Sequence, residues 1–154
     1  MSLVDPGDST PWCGGSLISS LHVLTAAHCT RGHSAASVQV RVGEHDHTNS
    51  GADVYNVAAI DHHPGFHYEA KMYDFSLLTL ATPVNFSTKA APICLPASVS
   101  SDYVGEVATI IGWGFTEAQG SPSQILMETN LTVVSNTECA ASHGSEIQKY
   151  LTIR

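Results

Sequence analysis

Thr25-Ala26-Ala27-His28-Cys29 closes a short apolar run that begins at Leu17, and it places a histidine directly beside a cysteine. A second cysteine, Cys13, lies upstream in the segment Trp12-Cys13-Gly14-Gly15-Ser16. A bridge between the two cysteines would close a loop of about 15 residues, which contributes roughly 3 kcal/mol in the chain-entropy model. It would also fix the backbone at His28, as suits a histidine that passes protons near neutral pH. A core histidine bonded to a backbone carbonyl is the alternative interpretation.

The composition excludes several classes of protein. Of 154 residues, 43% are hydrophobic and 13% are charged, which is unlike a disordered tail. Six basic and fourteen acidic residues give a net charge of −8, which argues against a nucleic-acid or anionic-membrane partner. No apolar run approaches the length of a membrane span.

Short segments rich in β-branched residues, separated by turns, predict an all-β fold of barrel or sandwich form. In one of them, Val38, Val40 and Val42 alternate with Gln39 and Arg41, a pattern typical of a half-buried strand. The predicted strands are Val38–Val42, Val54–Ile60, Asp74–Leu80, Val107–Ile111 and Ile125–Val134. One short helix is predicted over Ser135–His143, with Ser135 as N-cap and Glu138 completing a capping box.

Several motifs in order resemble those of the chymotrypsin/trypsin family of serine endopeptidases. They are Cys-Gly-Gly-Ser-Leu-Ile at 13–18, Leu-Thr-Ala-Ala-His-Cys at 24–29, Asp74 at the head of Asp-Phe-Ser-Leu-Leu-Thr-Leu, Pro-Ile-Cys-Leu-Pro at 92–96, and Gly-Trp-Gly at 112–114. The resemblance covers roughly residues 11–154. It implies a chymotrypsin-like double β-barrel: residues 1–11 form an irregular N-terminal segment, residues 12–92 the first barrel, and residues 93–154 the inter-barrel link and a truncated second barrel.

The same resemblance implies peptide-bond hydrolysis by a His-Asp-Ser triad. His28 would be the general base, Asp74 the carboxylate that orients it, and Cys13–Cys29 a disulfide. The family's Gly-Asp-Ser-Gly-Gly-Pro nucleophile motif is absent, and Tyr150–Arg154 resembles a run that precedes it. We therefore expect a fragment of an endopeptidase, inactive alone because it lacks the serine and the oxyanion hole.

Two alternatives remain open for the role of this chain. It could be one piece of a nicked protease that associates with a complementary C-terminal fragment, or a non-catalytic homologue acting as a secreted binding module. Retention of both His28 and Asp74 weakens the second alternative, because a binding module needs neither residue. The partner of the complete enzyme would be a protein or peptide substrate.

The N-terminal region departs from the family pattern. Pro11-Trp12 runs straight into Cys13 where the family has a strand, so one strand of the first barrel is expected to be missing. Gly7-Asp8-Ser9 superficially matches the nucleophile motif, but its position before the histidine predicts a surface turn.

The cysteines and the family resemblance predict an extracellular, secreted protein, although no signal peptide is visible in the sequence. Cys94 and Cys139 are expected not to bond to each other, because the family partners of both fall outside this chain. The sequons at Asn85 and Asn130 are candidate glycosylation sites, and Asn85 is the better one because it lies in a predicted loop.

No cofactor is expected, with one exception. The loop that follows Val42 carries Glu44, Asp46 and Asp53, which are oxygen donors suited to calcium. A later glutamate of the family pattern is replaced by Asn49-Ser50-Gly51, so a solvated acidic loop is the favoured interpretation. Zinc at His45 and His47, or at His62, His63 and His67, is a weaker alternative.

Overall fold

The computed structural model describes residues 1–48, 51–70, 72–97, 102–117 and 120–143. Nine strands and two short α-helices are present in those ranges. The strands are β1 Ser2–Val4, β2 Cys13–Gly14, β3 Ser16–Leu17, β4 His22–Thr25, β5 Gln39–Val42, β6 Asp53–His62, β7 Ser76–Leu80, β8 Val107–Gly112 and β9 Met127–Thr132; the helices are α1 Ala27–Thr30 and α2 Asn136–His143.

Seven strands form one antiparallel sheet in the order β2-β1-β5-β6-β7-β4-β3. The two end strands of this sheet, β2 and β3, are consecutive in the chain and are separated by Gly15 alone. The sheet therefore curls until its two ends meet at Gly15, which makes a nearly closed barrel. A Cβ atom at position 15 would lie 2.8 Å from Val23 Cγ1 and 3.3 Å from the Leu24 carbonyl oxygen, so glycine is needed there.

Alternating side chains fill the barrel. In β7 every second residue is buried, as the pleat requires when one face lies on a core. The core contains Leu3, Leu17, Val23, Val38, Val40, Val42, Val57, Leu78, Leu80 and Val84. Val38, Val40 and Val42 point inward as predicted, but Arg41 is buried as well.

The prediction that a barrel strand is missing is wrong, and so is the description of residues 1–11 as irregular throughout. β1 lies between β2 and β5, with Leu3 facing Cys13 on one side and Val40 on the other. Its apolar residues Leu3 and Val4 are buried, so it is an integral strand of the barrel. Three residues are too few to show the alternation from which strands are predicted. The division of the chain into domains stays a prediction.

The segment that joins β1 to β2 contains the predicted turn. Gly7 has φ +83°, and the Asp8 amide donates to the Asp5 carbonyl. The Asp8 carboxylate accepts from the amides of Thr10 and Ser9, and these hydrogen bonds lower its pKa. Gly7-Asp8-Ser9 is thus a turn and not a nucleophile motif.

The remaining strands form a separate hairpin. β8 and β9 pair antiparallel from Val107–Thr132 to Gly112–Met127, and they represent the second barrel among the described residues. The structure confirms the mainly β architecture, with a nearly closed first barrel and a small second sheet. Within the described ranges, no helix is long and apolar enough to cross a membrane.

Helix α2 follows the hairpin and has the predicted cap. The Glu138 amide donates to Ser135 Oγ at 3.1 Å, and the Ser135 amide donates to Glu138 Oε2 at 3.0 Å. These reciprocal bonds satisfy two backbone donors at the start of the helix and lower the pKa of the exposed Glu138 carboxyl. Two segments used in the sequence analysis lie outside the described residues. They are Tyr150–Arg154, which resembles a family run, and Asn49–Ser50, where a family glutamate is replaced.

Candidate functional site: a histidine–aspartate pair at the barrel rim

His28 and Asp74 are brought together by two neighbouring strands. β4 ends at Thr25 and leads into α1, which carries His28, while Asp74 lies just before β7. β4 and β7 are paired, with Thr25 opposite Ser76. Residues 46 positions apart therefore meet at the same edge of the barrel.

Asp74 contacts His28 at two points. Oδ2 lies 2.6 Å from the imidazole Nδ1, and Oδ1 accepts the His28 backbone amide at 2.7 Å. The amide is one of the donors that have no partner within the first turn of a helix, so the carboxylate satisfies it. An ionised carboxylate only accepts hydrogen bonds, so it selects the tautomer with hydrogen on Nδ1 and leaves a lone pair on Nε2.

The accessibility of the pair suits proton transfer. The His28 side chain is 47% exposed and that of Asp74 is 23% exposed. The carboxylate is thus partly withdrawn from water, where its interaction with the ring is less screened, while the ring can still be reached.

Disulfide bonding anchors α1 on the side of β2. Cys13 and Cys29 are bonded, with their Cα atoms 6.2 Å apart, and this confirms the predicted bridge. The Cys29 sulfur lies 3.5 Å from His28 Nε2. Cys94 and Cys139 are not bonded to each other, as expected.

A buried polar cluster anchors the other side of α1. Thr30 Oγ1 donates to Ser76 Oγ at 3.0 Å, and both residues are fully buried. His62 Nε2 lies 3.0 Å from the same Thr30 oxygen. Thr30 and Ser76 follow His28 and Asp74 by two positions each. Their contact therefore helps to hold His28 and Asp74 side by side.

The segment before Asp74 is shaped by aromatic contacts. Tyr73 has φ +50°, an uncommon value for a residue with a side chain, and its ring stacks on His63 at 4.6 Å. Arg31 lies 4.4 Å above the Tyr68 ring in the same region. His62, His63 and His67 thus make aromatic or hydrogen-bonding contacts, and they form no metal-ligating group among the described residues.

The three acidic residues proposed for calcium do not form a cluster in the described structure. Glu44 has a fully buried carboxylate, with Oε1 2.6 Å from Arg41 Nη2 and Oε2 accepting from Ser2 Oγ at 2.6 Å. Asp46 accepts two hydrogen bonds from Thr48, which lower its pKa, and Asp53 opens β6. The Glu44 carboxylate is therefore not solvated, and Arg41 neutralises its charge, while calcium binding at these three residues stays a prediction.

The loop around Glu44 serves a structural role that was not predicted from the sequence. His47 Nδ1 lies 3.0 Å from Glu44 Oε2, and the His47 ring packs on Trp113 with centroids 4.5 Å apart. Trp113 Nε1 and the Leu126 amide both donate to the His45 carbonyl. These contacts join the first barrel to the β8–β9 hairpin. The sequence pattern around Glu44 did not predict them, because the contacting residues are distant in sequence.

Both candidate glycosylation residues are exposed. Asn85 lies outside helices and strands, whereas Asn130 lies in β9 and accepts a hydrogen bond from Thr109 Oγ1 at 2.7 Å. Modification at either residue stays a prediction.

Comparison with known proteins identifies the family. A family model described as Trypsin matches residues 3–152. The chain is 36% identical over 139 residues to clotting factor G beta subunit of Tachypleus tridentatus, covering 85% of this chain and 44% of that protein. It is 35% identical to trypsin 5G1 of Aedes aegypti (89% and 51% covered) and 30% identical to a venom serine protease of Polistes dominula (88% and 51% covered). The chain thus spans about half the length of the curated relatives it matches, and it belongs to the trypsin family of serine proteases.

Proposed function

We propose that this chain supplies the general base and the orienting carboxylate of a trypsin-like serine endopeptidase. The observation that carries the proposal is the two-point contact between Asp74 and His28. In peptide-bond hydrolysis, His28 Nε2 takes the proton of a serine hydroxyl as that oxygen attacks the carbonyl carbon. It then returns the proton to the leaving amine, while Asp74 stabilises the imidazolium. The substrates of the complete enzyme are proteins or peptides.

The nucleophile would come from sequence outside these 154 residues, which contain no Gly-Asp-Ser-Gly-Gly motif. The supporting observation is the β8–β9 hairpin, whose Val107, Ile111 and Leu131 side chains are more than half exposed. Further strands that carry the serine would cover these side chains, either as part of the same polypeptide or as a complementary C-terminal piece.

The alternative of a non-catalytic binding module requires neither member of the pair. Asp74 holds both the imidazole Nδ1 and the backbone amide of His28, and the ring stays half exposed, which is the arrangement that a general base needs. We therefore favour the catalytic role.

We also propose that the protein is secreted. The Cys13–Cys29 disulfide suits an oxidising compartment, and relatives named as a clotting factor and a venom protease suit an extracellular location. Asn85 is the glycosylation residue we favour, because it is exposed and lies outside the strands.

The 154-residue chain alone should hydrolyse no peptide bond at an enzymatic rate. Loss of the serine alone costs about 10⁶-fold in kcat in a comparable protease, and the sequence contains no Gly-Asp-Ser-Gly-Gly motif to supply the serine and its oxyanion-hole amides. The test is incubation with ester and amide substrates and with a serine-directed phosphonylating reagent, followed by intact mass measurement. We expect no turnover and no labelled serine. Stoichiometric labelling of one serine, abolished by His28→Ala, would contradict this expectation.

A further inference from the structure

We propose that Cys13, Cys29 and His28 form a redox-gated site for a thiolate-binding divalent cation such as Zn²⁺. When the disulfide is reduced, the two thiolates and His28 Nε2 supply three ligands. The ligand atoms of these residues all lie within 4.8 Å of one another, and no other such group of three occurs among the residues that the structure describes.

The distances match the coordination geometry of zinc. Zinc bonds to sulfur at about 2.3 Å and to nitrogen at about 2.0–2.1 Å, so tetrahedral ligands of these types lie about 3.6 Å apart. The Cys29 sulfur lies 3.5 Å from His28 Nε2. Opening the disulfide lets the Cys13 sulfur move away from the Cys29 sulfur, to the wider spacing that two ligands of one ion need.

Asp74 prepares His28 for metal binding. It accepts from the Nδ1 side of the ring at 2.6 Å, which leaves the Nε2 lone pair on the side of the sulfurs. A carboxylate that holds the other ring nitrogen is the usual outer partner of a metal-bound histidine. Two cysteines and one histidine with water as fourth ligand are a known zinc donor set.

The chemistry requires a reductant, for which an external dithiol is sufficient. One of its thiolates attacks a disulfide sulfur and breaks the S–S bond, and its second thiol resolves the mixed disulfide. The protein gains two electrons and two protons, and the reductant leaves as its own disulfide. Binding of the cation then releases the two thiol protons to solvent.

Metal binding would remove the lone pair that we assign to the general base. That consequence rests on the proposed function, whereas metal binding itself does not. Reduction and a divalent cation together would thus switch off proton transfer at His28.

Cobalt binding tests the proposal on the chain with Cys94→Ser and Cys139→Ser, which removes the other two thiols. A phosphine is the reductant, since it becomes a phosphine oxide with oxygen from water and offers no thiol to the metal. We expect one Co²⁺ per reduced chain, with sulfur-to-cobalt charge-transfer and tetrahedral d–d absorption, displacement by Zn²⁺, and protection of both thiols from alkylation. The oxidised chain should show none of these signals.

Variants identify the ligands. Asp74→Asn should weaken binding about 10–100-fold, the usual effect of losing an outer partner, and His28→Ala should weaken it further. His67→Ala, at an exposed histidine outside the group, should leave it unchanged. Circular dichroism of each reduced variant reports the fold. An affinity unchanged by His28→Ala, binding by the oxidised chain, or a reduced chain that is unfolded when it binds would each overturn the proposal.

Discussion

At the scale of single residues, the structure places two acidic side chains in opposite kinds of environment. Asp74 lies at the barrel rim, where its partly exposed carboxylate holds a half-exposed imidazole. Glu44 is fully buried, and its carboxylate is paired with Arg41, whose side chain is 7% exposed. The Asp74 arrangement leaves the His28 ring accessible to solvent. The Glu44 arrangement neutralises charge inside the protein and stabilises the loop that contacts the β8–β9 hairpin.

Arg41→Met should destabilise the chain by about 3–5 kcal/mol, because it leaves the Glu44 carboxylate buried without its cationic partner. The measurement is the midpoint of urea unfolding. The matched control is Arg31→Met, which removes an exposed arginine that stacks on Tyr68 and should cost at most about 1 kcal/mol. Equal losses in the two variants would contradict the role of the buried ion pair.

The residues of the site were more predictable than their surroundings. His28, Asp74 and Cys13 lie in recognisable motifs, and the contacts expected of them are present, while the catalytic roles of His28 and Asp74 stay a prediction. Arg41 was expected on the exposed face of a half-buried strand, and alternation alone cannot show that a partner three positions later draws the guanidinium inward. The contacts of Ser2 and Trp113 were missed for a different reason, because they span 42 and 68 residues of sequence.

At the scale of elements, barrel closure depends on very short strands. β2 and β3 have two residues each, and Gly15 between them lets the chain pass from one edge of the sheet to the other. Strands β5 to β9 have four or more residues each, and they were predicted to within a few residues of their observed ends. β1 was missed because three residues give no periodicity, although burial of Leu3 and Val4 makes it essential to the core.

Gly15→Ala should destabilise the barrel by about 1–3 kcal/mol, because the added methyl group would overlap Val23 and approach the Leu24 carbonyl. Gly14→Ala is the control, since its Cβ would meet only the Met1 carbonyl, at 3.7 Å. Thermal unfolding of the two variants provides the comparison. If Gly15→Ala is as stable as Gly14→Ala, the barrel has room for a side chain at position 15, which would contradict the close packing at this residue.

At the scale of the whole molecule, the two sheets differ in how well they are covered. Among the described residues, the first barrel encloses a core of ten buried residues, whereas every residue of β9 and nearly every residue of β8 is exposed. An isolated two-stranded hairpin is at best marginally stable in water, so contacts with the first barrel through His45 and His47 must help to hold this one.

The isolated chain should therefore self-associate through β8 and β9. The double variant Val107→Thr, Ile111→Thr removes apolar surface from one face of β8 while keeping β-branched side chains, and it should shift the chain toward monomer in sedimentation velocity. Val54→Thr, at an exposed valine of β6, is the control and should have little effect. If both variants self-associate as strongly as the parent chain, the self-associating surface lies outside β8 and β9.

Nitrogen-15 NMR of the imidazole measures directly whether Asp74 holds His28 in the tautomer that can accept a proton at Nε2. At a pH where the ring is neutral, we predict hydrogen on Nδ1 in the parent chain. In Asp74→Asn the new amide can donate to Nδ1, so hydrogen should move to Nε2, while Asp61→Asn, at an exposed residue of β6, should change nothing. Hydrogen on Nε2 in the parent chain, or the same tautomer in the parent and Asp74→Asn, would contradict the account.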